Sequence, residues 1–141
     1  MEGGTAVGGR KNYPPEDLYA GFSAEARRVI AADIARQDEA RFGRMFTVQC
    51  VSASQSPRKF NGYGVSVDLV VVTARFRLSA ANGIASGAKW SKDYAVSETI
   101  ESGQFQGLTS SDTIQRVVGT LKEQLQKDND FLSVLHNTSK L

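Results

Sequence analysis

The sequence predicts an α+β domain: an antiparallel sheet of three to four strands with two helices packed on one face, in the order α-β-β-β-α. Three observations carry this expectation. Apolar residues recur at helical spacing near both ends of the chain, over residues 18–34 and 114–125. Between them, β-branched and aromatic residues alternate with polar ones over 65–78 and again over 88–100. The two alternating runs are separated by Asn82-Gly83, a dipeptide that favours a tight hairpin.

Residues 1–12 are rich in glycine and read as a flexible tail, which leaves 13–141 as one domain. GGTAVGG lacks the Gly-Lys-Ser/Thr ending of a phosphate-binding loop. Pro14 and Pro15 open the first helix, and Glu16 and Asp17 suit its positive end. Leu18, Phe22, Ala26, Val29, Ile30 and Ile34 form its apolar stripe, opposite Arg27, Asp33 and Arg36. It is expected to end near Phe42-Gly43; Ser23 is an alternative N-cap that divides the segment. From Met45 to Ser52, Phe46, Val48 and Cys50 alternate with Thr47 and Gln49, which reads as a half-buried strand. Residues 52–64 are polar and read as a loop, or alternatively as the tip of a long hairpin.

The strongest strand is 65–78. Val70, Val72, Ala74, Phe76 and Leu78 share one face, and Thr73, Arg75 and Arg77 the other. Centring the hairpin on Gly83 pairs positions that sum to 166, so Phe76 faces Trp90, Val72 faces Tyr94 and Val70 faces Val96. Arg75 and Asp93 are then diagonal neighbours on the opposite face. Residues 101–109 read as a loop. Asp112 and Gln115 have capping-box spacing before a helix with the stripe Ile114, Val117, Val118, Leu121 and Leu125. Phe131, Leu132 and Leu135 form a short terminal apolar turn.

A chain of 141 residues with 40% apolar and 23% charged residues can bury a core without disulfides or metal. Cys50 is the single cysteine, so no internal disulfide forms; it reads as a buried thiol. The net charge of +2 is spread in mixed sign: Arg27 and Arg28 precede Asp33, and Arg36 precedes Asp38 and Glu39. That argues against a nucleic-acid stripe. The longest apolar stretch, Leu69 to Val72, is strand-sized, far below a membrane span. The N-terminus shows no apolar core of a signal peptide.

The residues offer little catalytic chemistry. His136, the one histidine, has no orienting partner nearby in sequence, and one histidine with one cysteine makes no metal cluster. Asp93 falls on the strand face opposite Glu98, which separates the nearest carboxylates, and Glu101 is the third of that set. No catalytic, cofactor-binding or metal residue is expected, and no cofactor. Trp90 reads as a core residue. Tyr63, in Asn61-Gly62-Tyr63-Gly64, reads as turn packing or as an exposed recognition residue. The expected interaction surface is Tyr63 with Thr73, Arg75, Arg77 and Asp93. Asn137-Thr138-Ser139 fits a glycosylation pattern, and Ser139-Lys140-Leu141 a peroxisomal address in a eukaryotic source.

From about Tyr63 to His136 the chain resembles the YajG family of bacterial lipoproteins. The stretches that carry the likeness are YGVSVDLVVVTARF, AANG, KWSKDYAVS, IESGQFQ, DTIQRVVGTLKEQLQKD and DFLSVL. The resemblance implies a non-enzymatic accessory protein on the periplasmic face of the outer membrane. This sequence departs from the family in having no signal peptide and no cysteine near Met1 for lipidation, so a membrane role rests on an anchor outside this chain. Without the resemblance, a cytoplasmic location is expected. The alternatives are a structural subunit of a large assembly, such as a phage tail or neck or a secretion apparatus, and a small ligand carrier or enzyme using Tyr63, Arg75, Asp93 and His136. The expected partners are other protein subunits, including further copies of the chain.

Overall fold

The computed structural model describes residues 15–80 and 89–139. The architecture is α+β: a three-stranded antiparallel sheet in the order β1-β2-β3 with helices on one face. The strands are β1 (Phe46–Gly62), β2 (Val65–Ala80) and β3 (Trp90–Glu101). The helices are α1 (Pro15–Val29), α2 (Glu39–Met45), α3 (Ser111–Gln126) and α4 (Asn129–Ser139).

The first helical segment is not one helix. After Val29 it widens into a π-helical turn, Ile30–Ala35, and stops at Arg36, whose φ of 56° is left-handed. Asp38 then caps α2 by accepting a 2.8 Å hydrogen bond from the Arg41 backbone N–H. Gly43 therefore lies inside α2 and is not a helix end. Ser23 is not a cap either. It sits within α1, where its hydroxyl donates to the Tyr19 carbonyl and accepts the Cys50 backbone N–H at 2.9 Å, tying β1 to the helix.

The expected loop 52–64 is strand. β1 pairs with β2 along its whole length, from Phe46↔Ala80 to Gly62↔Val65, so the long-hairpin alternative is the one that occurs. The turn residues are Tyr63 and Gly64, with φ of 54° and 73°, a tight turn whose twist suits a hairpin. A bulge between Cys50 and Ser52 switches which β1 residues face the core, from Phe46, Val48 and Cys50 to Ala53.

The second hairpin has a different register from the expected one. Its pairs sum to 170: Phe76↔Tyr94, Ala74↔Val96, Val70↔Ile100 and Ala80↔Trp90. The shift preserves parity, so every apolar residue stays on its expected face. It centres the hairpin on position 85 rather than 83; Asn82-Gly83 lies outside the described residues, as do the expected tail 1–12 and Lys140-Leu141.

The core is built from Phe22, Ala26 and Ile30 of the first helical segment, the inner residues of the sheet, Val117, Val118, Leu121 and Leu125 of α3, and Phe131 and Val134 of α4. Trp90 is half-buried beside Phe131, with ring centroids 6.3 Å apart. The N-cap of α3 is Ser110, whose hydroxyl accepts the Thr113 N–H, and not Asp112, which pairs with Arg116 at 2.9 Å. The expected terminal turn is the full helix α4.

Candidate functional site

The face of the sheet turned away from the helices is where the structure places the expected interaction residues. Thr73, Arg75, Arg77 and Asp93 are all exposed there. Alternation along β2 and β3 puts them on the side opposite Val72, Ala74, Phe76, Tyr94 and Val96, which are buried. Arg77 and Asp93 are direct cross-strand partners joined by a 2.8 Å ion pair. The guanidinium of Arg77 holds the Asp93 carboxyl below its ordinary range, with a smaller contribution from Arg75. Arg75 lies opposite Ala95 and has no direct carboxylate contact among the described residues.

Tyr63 stands apart from this group, at the far end of the hairpin. It is fully exposed, at 102%, so turn packing does not describe it. The ladder between β2 and β3 ends at Leu69↔Glu101, and four further β1–β2 pairs continue beyond it to Gly62↔Val65. The hairpin thus projects past β3 as a two-stranded arm about 13 Å long, taking roughly 3.3 Å per residue.

Sequence reasoning missed what this arm carries. On the same free face as Arg75 lie Val71, Leu69, Val67 and Val65 of β2, with Phe60 of β1 opposite Val67. Phe60 is 51% exposed and Val65 57% exposed. The ring of Phe60 folds over Gly62: a Cβ at Gly62 would stand 2.9 Å from its Cζ. The opposite face of the arm is polar, with Lys59 and Asp68 in a 3.2 Å ion pair and Asn61 opposite Ser66. The signal was present in the sequence. Val65, Val67 and Leu69 alternate with Ser66 and Asp68, out of phase with Val72, Ala74, Phe76 and Leu78. The apolar run Leu69–Val72 is where the apolar set crosses from one face to the other.

No family model, curated protein or solved structure matches the chain. The site is accordingly read from its own geometry.

Two clefts open elsewhere. One, of about 310 Å³, lies where α2 enters β1, beside Arg44, Thr47, Ser79 and Trp90. The other, of about 450 Å³, lies between α1 and the start of α3, beside Glu25, Arg28, Glu39 and Gln115. Tyr63, Arg75, Asp93 and His136 line neither. Among the described residues, no three His, Cys, Asp or Glu side chains gather as metal ligands, and no helix is long and apolar enough to cross a membrane. Asn137-Thr138-Ser139 falls in α4, where Thr138 is buried and donates to the carbonyls of Val134 and Leu135.

A polar clasp joins β3 to the turn before α4. The Tyr94 hydroxyl donates to Asp128, and Lys92 Nζ reaches Asp128 at 3.1 Å and Asp130 at 2.9 Å. Burial opposes ionisation of Asp128, yet Tyr94, Lys92 and the Asp130 N–H together hold its carboxyl below its ordinary range. Burial, then the bond to Asp128, pushes the Tyr94 hydroxyl well above its ordinary range. This clasp ties β3 to α4 on the side of the sheet opposite the free face.

Proposed function

We propose that the chain is a non-enzymatic assembly or accessory protein that engages other protein subunits through the free face of its sheet and the arm that extends it. The observation that carries this reading is Tyr63. A bulky aromatic in left-handed backbone is strained, because Cβ crowds the following carbonyl; the penalty is about 1–2 kcal/mol. Strain of this kind persists where the surroundings impose it or where function uses it. Tyr63 is fully exposed, so no packing within the described residues compensates it. An exposed tyrosine beside a strip of valines, with arginines behind it, has the composition of a protein-binding surface.

The cell envelope is the setting we attach to this role, on the likeness of residues 63–136 to YajG-type lipoproteins, with any membrane attachment supplied outside this chain. A subunit of a larger particle is the alternative, and it would use the same face.

The test is the native size of the protein in a gentle extract of its source, with mass spectrometry of co-migrating chains, for wild type and for Val67→Lys. The expected result is a particle well above the monomer mass that contains envelope proteins and shrinks in the variant. A particle of unchanged size in the variant removes the free face as the interface. A native protein that runs as a monomer sinks the assembly reading.

A further inference from the structure

The free face of the arm is complementary to itself, and from this we propose that its occupant is a second copy of this chain, docked face to face with the two arms antiparallel. The proposal rests on the reading of this face as an interface and names the partner.

A two-fold axis across the strands, between Val67 and Leu69, overlays the apolar strip on its own copy. Val65 then meets Val71, and Val67 meets Leu69. Phe60, in the row of Val67 with its ring leaning over Gly62, comes within reach of the long Arg58 side chain of the other copy, in the row of Leu69, and the reciprocal contact forms by symmetry. An arginine over a phenylalanine ring is a favourable pairing. Tyr63 of each copy falls over Thr73 of the other, with its ring reaching toward Arg75, which makes no direct carboxylate contact among the described residues. This gives one account of the strained, exposed Tyr63 and of the exposed Arg75.

Other arrangements of two copies fare worse. An axis along the strands sets Arg75 over Arg75 and Arg77 over Arg77, a juxtaposition of like charges. Adding strands edge to edge along β1 meets Pro57, Arg58 and Lys59, which blunt that edge. Tip-first insertion into a bilayer would carry in Asn61, Ser66 and the Lys59–Asp68 pair on the arm's other face. An apolar surface confined to one side suits a flat, dry contact with a like surface.

Rows from Tyr63 to Thr73 span about 33 Å, and two strands about 10 Å. That footprint, roughly 330 Å² on each copy, is well below the ~800 Å² per partner of standard stable interfaces and belongs with weak, transient ones. The dimer is therefore concentration-dependent, with a dissociation constant on the order of micromolar or weaker.

The experiment is sedimentation velocity of the purified full chain across about two decades of concentration around the micromolar range. Wild type is expected to shift from monomer to dimer. Val67→Lys is expected to weaken the dimer more than about tenfold and Arg75→Glu several-fold, both with unchanged circular dichroism because both sites are solvent-facing. A short thiol cross-linker is expected to join Val67→Cys to Leu69→Cys in a mixture more readily than either variant to itself. Cys50, being buried, stays out of that reaction. A wild type that stays monomeric throughout overturns the proposal, and so does a dimer that survives Val67→Lys. Binding of the monomer to phosphatidylglycerol vesicles, lost in Val67→Lys, overturns it in favour of a lipid surface. If the pure chain is monomeric while Val67→Lys still shrinks the native particle, the interface reading stands and a different chain covers the strip.

Discussion

Tyr63, in the role proposed for it, sets folding against binding at a single residue. Its backbone occupies the left-handed region that asparagine and glycine tolerate far better. Replacing it with asparagine keeps the tight turn and relieves the crowding. Tyr63→Asn is therefore expected to stabilise the protein by about 1 kcal/mol in urea unfolding while weakening self-association. Equal or lower stability would show that the side chain does pack in the folded state. Cys50 is the opposite case, a side chain that the fold hides. It is buried opposite Phe76, and burial pushes its thiol up to about 11, partly offset by a hydrogen bond with the Ser52 backbone. Thiolate is the reactive form, so alkylation of the native protein at pH 8 is expected to be many-fold slower than in denaturant. Comparable rates in the two states would contradict the burial. Phe76 is the largest single test of the core. It is wholly buried where two strands and α1 meet, with Phe22 edge-on at 6.5 Å. Phe76→Ala is expected to cost about 3–5 kcal/mol by chemical denaturation.

At the scale of elements, the clasp between β3 and α4 gives the fold a definite pH response. The Asp128 carboxyl titrates lower in the folded chain than in the unfolded one, so its contribution is present above the ordinary carboxylate range, near pH 4. It fades as the pH falls through the folded value. Tyr94 titrates higher in the folded chain, so its contribution is present below about pH 10. It fades as the pH rises, because the unfolded chain loses that proton first. The stability gap between wild type and Asp128→Asn should be widest near neutral pH and narrow below about pH 4. A gap that stays constant with pH would show that the carboxylate charge does not matter there. Much of this level was legible in the sequence. Period-two alternation identified which faces of β2 and β3 are buried, and the stripe Val117, Val118, Leu121 and Leu125 identified the inner face of α3. What the pattern did not reveal came from strand partners and from a helix cap. Residues 52–62 have loop-like composition and become strand because β2 supplies a partner for each of them. The single long helix breaks at Arg36 because Asp38 caps a new one. Hairpin parity followed from which residues are apolar, whereas the register depended on the connection, and Asn82-Gly83 misplaced its centre.

Across the whole molecule, a packed body contrasts with a projecting arm. From Leu69 to Ala80, β2 has a hydrogen-bonded neighbour on each side, and from Val70 inward the helices cover its other face. From Val65 to Asp68 it has β1 alone, and a lone two-stranded ribbon is marginal in water. The free energy of local opening should therefore fall steeply along one continuous strand. In a dilute, monomeric sample, the hydrogen-bonded amides near Val67 are expected to exchange with solvent orders of magnitude faster than those near Phe76, which open only with the whole domain. Raising the concentration should slow exchange in the arm and leave the body unchanged, because a dimer that buries Val65, Val67 and Leu69 adds its binding energy to the arm's local opening. Arm amides as slow as those near Phe76 in the dilute sample would mean that the hairpin folds as one unit with the core. In that case its exposed apolar strip is rigid and preformed, and Tyr63 is held in place by the fold itself rather than by the partner it meets.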